Sequence, residues 1–306
     1  MKLRFRQLEI IKAVLETGSV TEAARQLRVS QPSVSKMLQQ AESQLGFQLF
    51  IREHGSLVPT VEARTLFPEL IKAFAAVDVV NRLADDLRDT RTGLVTVAAS
   101  ASFGNSLVGA AVEQFRAARP KTHVVLQTLL NHQIAEFVAD NKVDLGLALS
   151  PADDTGTIAR SFCSADLVCV MPHGHPLARL DAIGPAELQR YPLISFSRER
   201  PIGALIEQAY QQAGLRRSIA IEVTQSWTAC ALVQAGSGVA VVDGFALLGG
   251  MFADLVARPL SPGVRIAGRL LRPRHRPMSR LASAFVQEFE KVVSSHVARN
   301  ELYAPA

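Results

Sequence analysis

Cysteine is scarce in this chain, with three among 306 residues (Cys163, Cys169 and Cys230). Three thiols cannot make a disulfide framework, which excludes the small secreted scaffolds and favours a reducing compartment. A membrane-spanning run is missing as well. Residues 223–242 carry no charge, but Thr224, Gln225, Ser226, Thr228, Gln234 and Ser237 load them with polar groups. A buried helix followed by a buried strand is expected there instead. Residues 1–16 interleave Lys and Arg with apolar side chains and contain no apolar core, so no signal peptide is read and a cytoplasmic location is expected.

No Walker loop, H-E-x-x-H or G-x-S-x-G occurs, and Gly236-Ser237-Gly238 lacks the third glycine of a dinucleotide loop. His173-x-His175 sits in a Pro-Gly-rich turn without an acidic or cysteine partner, so a structural turn is expected rather than a metal site. No cofactor or metal is predicted. Cys163 and Cys169 are separated by five residues in apolar context; buried thiols are expected, with a redox pair left open. Neither charge sign dominates strongly. The net charge of +5 permits an anionic partner without identifying one, and residues 1–64 hold nine Lys or Arg against six Asp or Glu.

What is present describes a globular protein. Hydrophobic residues at 48% and charged residues at 20% can fill a core, and 306 residues suggest two domains. Leu8, Ile11 and Leu15 recur at helical spacing and Thr17-Gly18 supplies a stop. Ser19-x-x-Glu22 reads as a reciprocal capping box opening a second helix through Ala23, Ala24 and Leu27. Ser30 is placed to cap a third helix, with Pro32 in its first turn. Val34, Leu38, Ala41 and Leu45 form its apolar stripe.

The opposite face carries Gln31, Ser33, Ser35, Lys36 and Gln39. Helix, short turn and helix is the arrangement that lays a second helix in a DNA major groove. Gln can read adenine, Ser30, Ser33 and Ser35 are adaptable, Pro32 can touch a thymine methyl, and Lys36 can reach phosphate or guanine. Thr21 and the Arg25/Arg28 pair on the preceding helix add to the set. Residues 49–60 predict two short strands around a Gly turn, a wing that brings Arg52 and His54 to the backbone or minor groove.

Gly18-Ser19-Val20-Thr21-Glu22-Ala23-Ala24, then Leu27, Val29-Ser30-Gln31-Pro32-Ser33-Val34-Ser35 and Leu49-Phe50-x-Arg52, resemble the winged helix-turn-helix of LysR-type transcriptional regulators. The wing departs from that pattern, ending Pro59-Thr60-Val61-Glu62-Ala63 and carrying His54-Gly55-Ser56 where a second basic residue is usual.

Thr60 caps a further helix, in which Leu66, Leu70, Ala73, Val77, Val80, Ala84 and Leu87 follow a 4-3-4-3-4-3 spacing. That predicts a coiled-coil seam of about three heptads, kinked early by Pro68. A dimer would double the half-sites read, and the resemblance implies a linker helix pairing antiparallel with its mate.

Beyond Thr92-Gly93 the pattern becomes strand, helix, strand, helix, strand. Residues 94–99, 123–126 and 143–148 are the strands; 107–117 and the segment from 134 are the helices. The pattern restarts with strands at 167–171, 192–196, 219–223 and 239–242 and helices at 202–213 and 228–235. A strand at 265–270 and a helix at 280–293 return to the first half. Two such halves joined by crossing strands enclose a cleft at the carboxyl ends of their strands.

The fold predicted is an all-α winged helix-turn-helix with a linker helix, followed by a periplasmic-binding-protein-like α/β effector domain of two doubly wound subdomains. The expected domains are 1–60, 61–90 and 91–306. The last divides into subdomain I, about 93–162 plus 266–293, and subdomain II, about 163–265.

Cleft residues are expected where strands end: Ser100 and Ser102; Asn131 and Gln133; Ser195, Ser197 and Arg198; Gln225, Ser226 and Thr228. Hydroxyls and helix N-termini favour a carboxylate, and Asp243 suits an ammonium or guanidinium. Trp227 is read as packing or as a cleft wall.

Residues 166–177, 235–242 and 269–277 resemble the effector domain of the same family, in the branch of the lysine-biosynthesis activator and the opine-catabolism regulators. The resemblance implies an operator-binding regulator, homodimeric or homotetrameric, whose amino-acid or opine-like effector changes the angle of bound DNA, with RNA polymerase a further expected contact and no membrane partner. The alternatives weighed are a cytoplasmic solute-binding protein and an enzyme using Cys163 or Cys230 in the same cleft. The first lacks a reason for the first sixty residues, and the second lacks a base partner.

Overall fold

In the computed structural model, the described residues are 3–53, 56–88, 93–151, 155–297 and 303–305. The chain divides into two compact units, Met1–Asn81 and Arg82–Ala306.

The first unit contains α1 (Phe5–Thr17), α2 (Val20–Gln26), α3 (Gln31–Leu45), β1 (Phe50–Glu53), β2 (Ser56–Pro59) and most of α4 (Val61–Arg88). Gly18 ends α1 in the left-handed region at φ 64°, where a side chain would be strained. The buried stripe of α1 centres on Ile10, Ile11 and Val14, with Leu8 and Leu15 only half-buried at its margins.

Ser19 caps α2 by accepting from Glu22 N, but the box is not reciprocal, because the Glu22 carboxylate pairs with Arg25 at 2.7 Å. Ser30 precedes α3 without capping it; its hydroxyl meets Ser33 Oγ at 2.8 Å. Val34, Leu38 and Ala41 turn inward, and Leu49 and Phe50 complete the same core. The wing strands pair antiparallel, with Arg52 opposite Leu57.

Helix α4 continues through Pro68. Its first half is committed to its own domain: Ala63 and Leu70 are buried in the helix-turn-helix core, and Leu66 and Phe74 pack against it.

The second unit runs β3 (Gly93–Ala99), α5 (Ala101–Gly104), α6 (Leu107–Ala118), β4 (Thr122–Thr128), α7 (Asn131–Ala139) and β5 (Leu145–Leu149). A strand of sixteen residues follows, β6 (Thr157–Pro172). Then come α8 (Pro185–Leu188), β7 (Leu193–Phe196), α9 (Pro201–Gln212), β8 (Ile221–Val223), α10 (Ser226–Gln234) and β9 (Val239–Asp243). The remainder is β10 (Leu255–Pro259), β11 (Arg265–Pro273), α11 (Arg280–Val297) and β12 (Tyr303–Pro305).

The strands run in the order β4-β3-β5-β11-β6-β9-β7-β8. β3 pairs parallel with β4 and β5, and β7 with β8 and β9. The antiparallel strands β6 and β11 join the two parallel sets, with an irregularity between Gly268 and Arg269. Phe162, at that slip, stacks edge-on against Phe103 and Phe289. α11 returns to α6, Phe285 meeting Phe115 at 5.6 Å.

These are the two doubly wound halves expected. β10 and β12, both additions to β6, were not read from the sequence, nor was the N-terminal half of β6.

One buried polar fixture holds β3 to β5. Asp144 Oδ2 accepts from Thr96 N and Thr96 Oγ1, both at 2.8 Å, and Oδ1 accepts from Arg276 Nη2 at 2.8 Å.

Candidate functional sites

The exposed face of α3 begins at its first residue. Gln31, Pro32 and Lys36 are exposed and Ser33 and Ser35 half-buried, with Ser30 exposed just before them and Thr21 exposed on α2. Gln31 Nε2 donates to Ser35 Oγ at 3.1 Å, one helical turn on, which holds the amide along the helix surface. Residues 30–41 contain no acid. Lys36 forms no ion pair among the described residues.

The first acid on α3, Glu42, was missed by the sequence reading. Its Oε1 accepts from Leu49 N at 2.8 Å and Phe50 N at 3.3 Å, fixing the start of the wing to α3. Arg52 is exposed on β1. His54 lies outside the described residues.

On α4, Val77 is half-buried, and Val80 is 65% exposed although apolar. Ala73 is exposed; the side chains of Ala84 and Leu87 lie outside what is described. Leu66 and Leu70 are corrected from the seam, since both serve the core of their own domain.

In the second unit a cavity of about 460 Å³ opens at the carboxyl ends of β3, β4, β5, β7, β8 and β9. That size suits a small ligand. One half contributes Ser100, Ala101 and Ser102 after β3, Leu129 to His132 after β4, and Leu149 and Pro151 at the end of β5. The other contributes Phe196, Glu199 to Ile202, Thr224 to Ser226 and Asp243. Gly203, in the first turn of α9, packs so close to the preceding turn that a Cβ would lie 2.0 Å from Ser197 O, so this wall tolerates no side chain there.

Asp243, fully buried, bridges the halves. Its Oδ2 accepts from Ser102 Oγ at 2.9 Å and from Ser226 Oγ at 2.5 Å. Its Oδ1 and the buried Ser100 Oγ have no hydrogen-bond partner among the described residues. Burial pushes the Asp243 carboxyl up from its ordinary range; the Ser226 and Ser102 hydroxyls, then the backbone amides of Ala246 and Asp243, oppose the shift.

Six of the predicted cleft residues therefore line this cavity: Ser100, Ser102, Asn131, Gln225, Ser226 and Asp243. Asn131 spends its amide on structure, donating to Leu149 O at 2.8 Å and accepting from Leu149 N at 3.2 Å.

Gln133, Ser195, Ser197, Arg198 and Thr228 do not line it. Gln133 folds back to accept from Leu130 N. Ser195 alternates with Phe196 along β7, so it faces away and accepts from Arg217 Nη1. Arg198 and Thr228 point to solvent, and Ser197 Oγ accepts from Glu199 N. Glu199, Arg200, His132 and Thr224 were missed; each adjoins a residue that was read, one position out of phase or further along a turn. Trp227 is no cleft wall, since it packs edge-on against Phe252 at 4.7 Å.

The thiols suit neither catalysis nor a redox pair. Burial pushes Cys163, Cys169 and Cys230 each up to about 12, Cys230 with help from the Asp243 charge. Cys163 and Cys169 lie six residues apart on one extended strand, about 20 Å. A disulfide requires Cα atoms within about 7 Å. His175 Nδ1 accepts from Leu177 N, and its ring stands 4.5 Å from Tyr191, as a structural turn demands. Among the described residues no cluster of His, Cys, Asp or Glu could hold a metal, and no helix is long and apolar enough to cross a membrane.

A winged helix-turn-helix followed by a two-lobed ligand-binding fold defines a ligand-responsive DNA-binding regulator. Comparison with known proteins agrees. Residues 5–64 match the bacterial regulatory helix-turn-helix domain of the lysR family, and residues 88–294 match the LysR substrate-binding domain. The chain belongs to the LysR family of transcriptional regulators.

It is 34% identical to the transcriptional activator protein LysR of Escherichia coli (strain K12), over 92% of this chain and 91% of that one. It is 30% identical to the octopine catabolism/uptake operon regulatory protein OccR of Rhizobium meliloti, over 98% and 99%. The fold is that of full-length CbnR complexed with its target DNA, at TM-score 0.68 and 19% identity, covering 94% of this chain and 99% of that one.

Proposed function

We propose that α3 lies in the major groove of each half-site of a partly palindromic operator, with Gln31 reading base edges, Lys36 contacting phosphate or guanine and Arg52 at the backbone. Thr21, Ser30, Pro32, Ser33 and Ser35 complete the contact surface. The exposed, acid-free polar face of α3 carries this reading. The protein acts in the cytoplasm as a homodimer or homotetramer, paired along α4 through the part of the seam beyond Leu70, with RNA polymerase as a further partner. Its effector is an amino acid or an opine-like zwitterion held in the cavity between the halves of the second unit, which it leaves chemically unchanged. The relative named for regulation of an octopine catabolism and uptake operon supports that class.

The effector acts only to the extent that it binds one arrangement of the protein better than another. The experiment is a mobility shift on the DNA upstream of the coding region, across ionic strengths. The parent should discriminate the operator from scrambled duplex. Gln31→Ala should lose about 1–3 kcal/mol of discrimination per half-site at one base pair while keeping its non-specific affinity. Unchanged selectivity in Gln31→Ala removes α3 from the groove.

A further inference from the structure

We propose that the second unit holds a further ligand site, a cavity at the amino ends of β7 and β8 that takes a small carboxylate. It lies apart from the effector cavity and does not rest on the effector reading.

The cavity has a volume of about 230 Å³. Gln189 at the end of α8, the Tyr191-Pro192-Leu193 run that enters β7, Tyr210 on α9 and the connection from α9 to β8 enclose it. The effector cavity takes the opposite, carboxyl ends of the same two strands. Strand β7 reaches both, Leu193 lining the one and Phe196 the other.

The lining brings donors and no carboxylate. Arg216 contributes a guanidinium, Tyr191, Tyr210 and Ser218 hydroxyls, and Gln189 an amide, and no Asp or Glu is among the lining residues. Gln189 Nε2 donates to Arg216 O at 3.1 Å, which ties the α9–β8 connection to α8. Arg216 is exposed and forms no ion pair among the described residues.

The acids of the two flanking helices are engaged elsewhere. Glu207 on α9 pairs with Arg217 at 2.9 Å, and Arg217, 2% exposed, also donates to Ser195 Oγ at 3.3 Å. Glu187 on α8 accepts from Gly184 N at 3.0 Å. The positive charge of Arg216 is thus left for a ligand.

Tyr210 is 1% exposed, and its hydroxyl makes no hydrogen bond among the described residues. Burial pushes it up to about 12, against the pull of the Arg217 charge. At neutral pH it is therefore a phenol that donates, not a phenolate that would repel an anion.

The remaining walls narrow the class. The tyrosine rings, Pro192 and Leu193 offer apolar surface, and the Tyr191 ring is set against His175 at 4.5 Å. Donors beside an apolar wall fit an anion with a short carbon body. Phosphate or sulfate would leave that wall uncovered, and an ammonium would meet a guanidinium without an acceptor. The volume is half that of the effector cavity and lies below the roughly 300 Å³ at which pockets for drug-sized ligands begin, which limits the carboxylate to a few carbons.

The test is calorimetric titration of the full chain with acetate, propionate, lactate and succinate, with phosphate, sulfate and ethylammonium as contrasting probes. At least one carboxylate should bind, and Arg216→Gln should weaken it about tenfold or more. Ser218→Trp, which fills the cavity from an exposed position, should abolish that binding. Thr224→Trp, which fills the effector cavity instead, should leave it intact. Where Ser218→Trp does not fold, Tyr210→Phe, which removes one hydroxyl, should weaken the same carboxylate.

Carboxylate binding that is unchanged in Arg216→Gln or in a folded Ser218→Trp overturns the assignment. So does binding lost in a folded Thr224→Trp, which moves the ligand to the effector cavity, as does a preference for phosphate, sulfate or ethylammonium, or no heat with any carboxylate.

Discussion

Replacing Asp144 by Ala should strip the second unit of a large part of its stability. Asp144 is 4% exposed and Arg276 9%, and the carboxylate accepts two bonds from Thr96 and one from the guanidinium. Arg276 Nη1 is already buried without a partner, so no second acceptor stands ready when the carboxylate goes. An uncompensated buried cation costs about 3–5 kcal/mol.

For a unit the size of Arg82–Ala306 each kcal/mol lowers the melting temperature by about 2–4 °C, so a fall of about 6–20 °C follows. The single tryptophan provides the assay. Trp227 packs on Phe252 in the second unit and the first unit has none, so thermal unfolding followed by its fluorescence reports the affected unit alone. The double variant Asp144→Ala/Arg276→Met, which removes both charges, should recover at least half of the loss. A fall under about 3 °C in the single variant, or a double variant no better than it, would refute the view of this pair as a compensated buried charge.

Val77→Asp places a carboxylate in the free part of the α4 seam and should convert the protein to a 33.1 kDa monomer in sedimentation velocity; persistent dimers at the parent's concentration dependence would remove that seam. The three thiols, each near 12, are about one part in ten thousand thiolate at pH 8. An aromatic disulfide reagent should therefore leave the native chain unlabelled and titrate three groups after denaturation, whereas rapid native labelling of even one would contradict the burial described.

Helix α3 was legible because its signals are local. Pro32 in the first turn, the Val34-Leu38-Ala41 period and the polar face need no tertiary information. The capping box at Ser19 was half legible: the Ser is fixed by its own turn, but Glu22 has a choice of partner and takes Arg25.

The seam on α4 shows the limit of periodicity. A heptad names the face of a helix that is covered, not what covers it, and Leu66 and Leu70 are covered from within. The cavity opens at strand ends, while side-chain direction decided which neighbour reached it. Ser195 and Phe196 differ by one residue and by one face of the sheet. The first half of β6 was missed because Arg160, Ser161 and Ser164 break its apolar alternation; β11 flanks all three and β12 reaches Ser164. Asp144 and Arg276 meet across 132 residues, a separation that no local pattern encodes.

One strand, β6, belongs to both halves of the effector unit, unbroken over sixteen residues and about 50 Å. β11 accompanies it through the crossover and β12 lies along its middle, Tyr303 donating to Gly244 O beside the cavity floor. The lobes are thus joined by paired strands, slipped once between Gly268 and Arg269, rather than by a loose joint, so a turn of one against the other has to twist that ladder. A connection of this kind resists free swivelling, so any rearrangement of the lobes works against paired backbone rather than a flexible hinge.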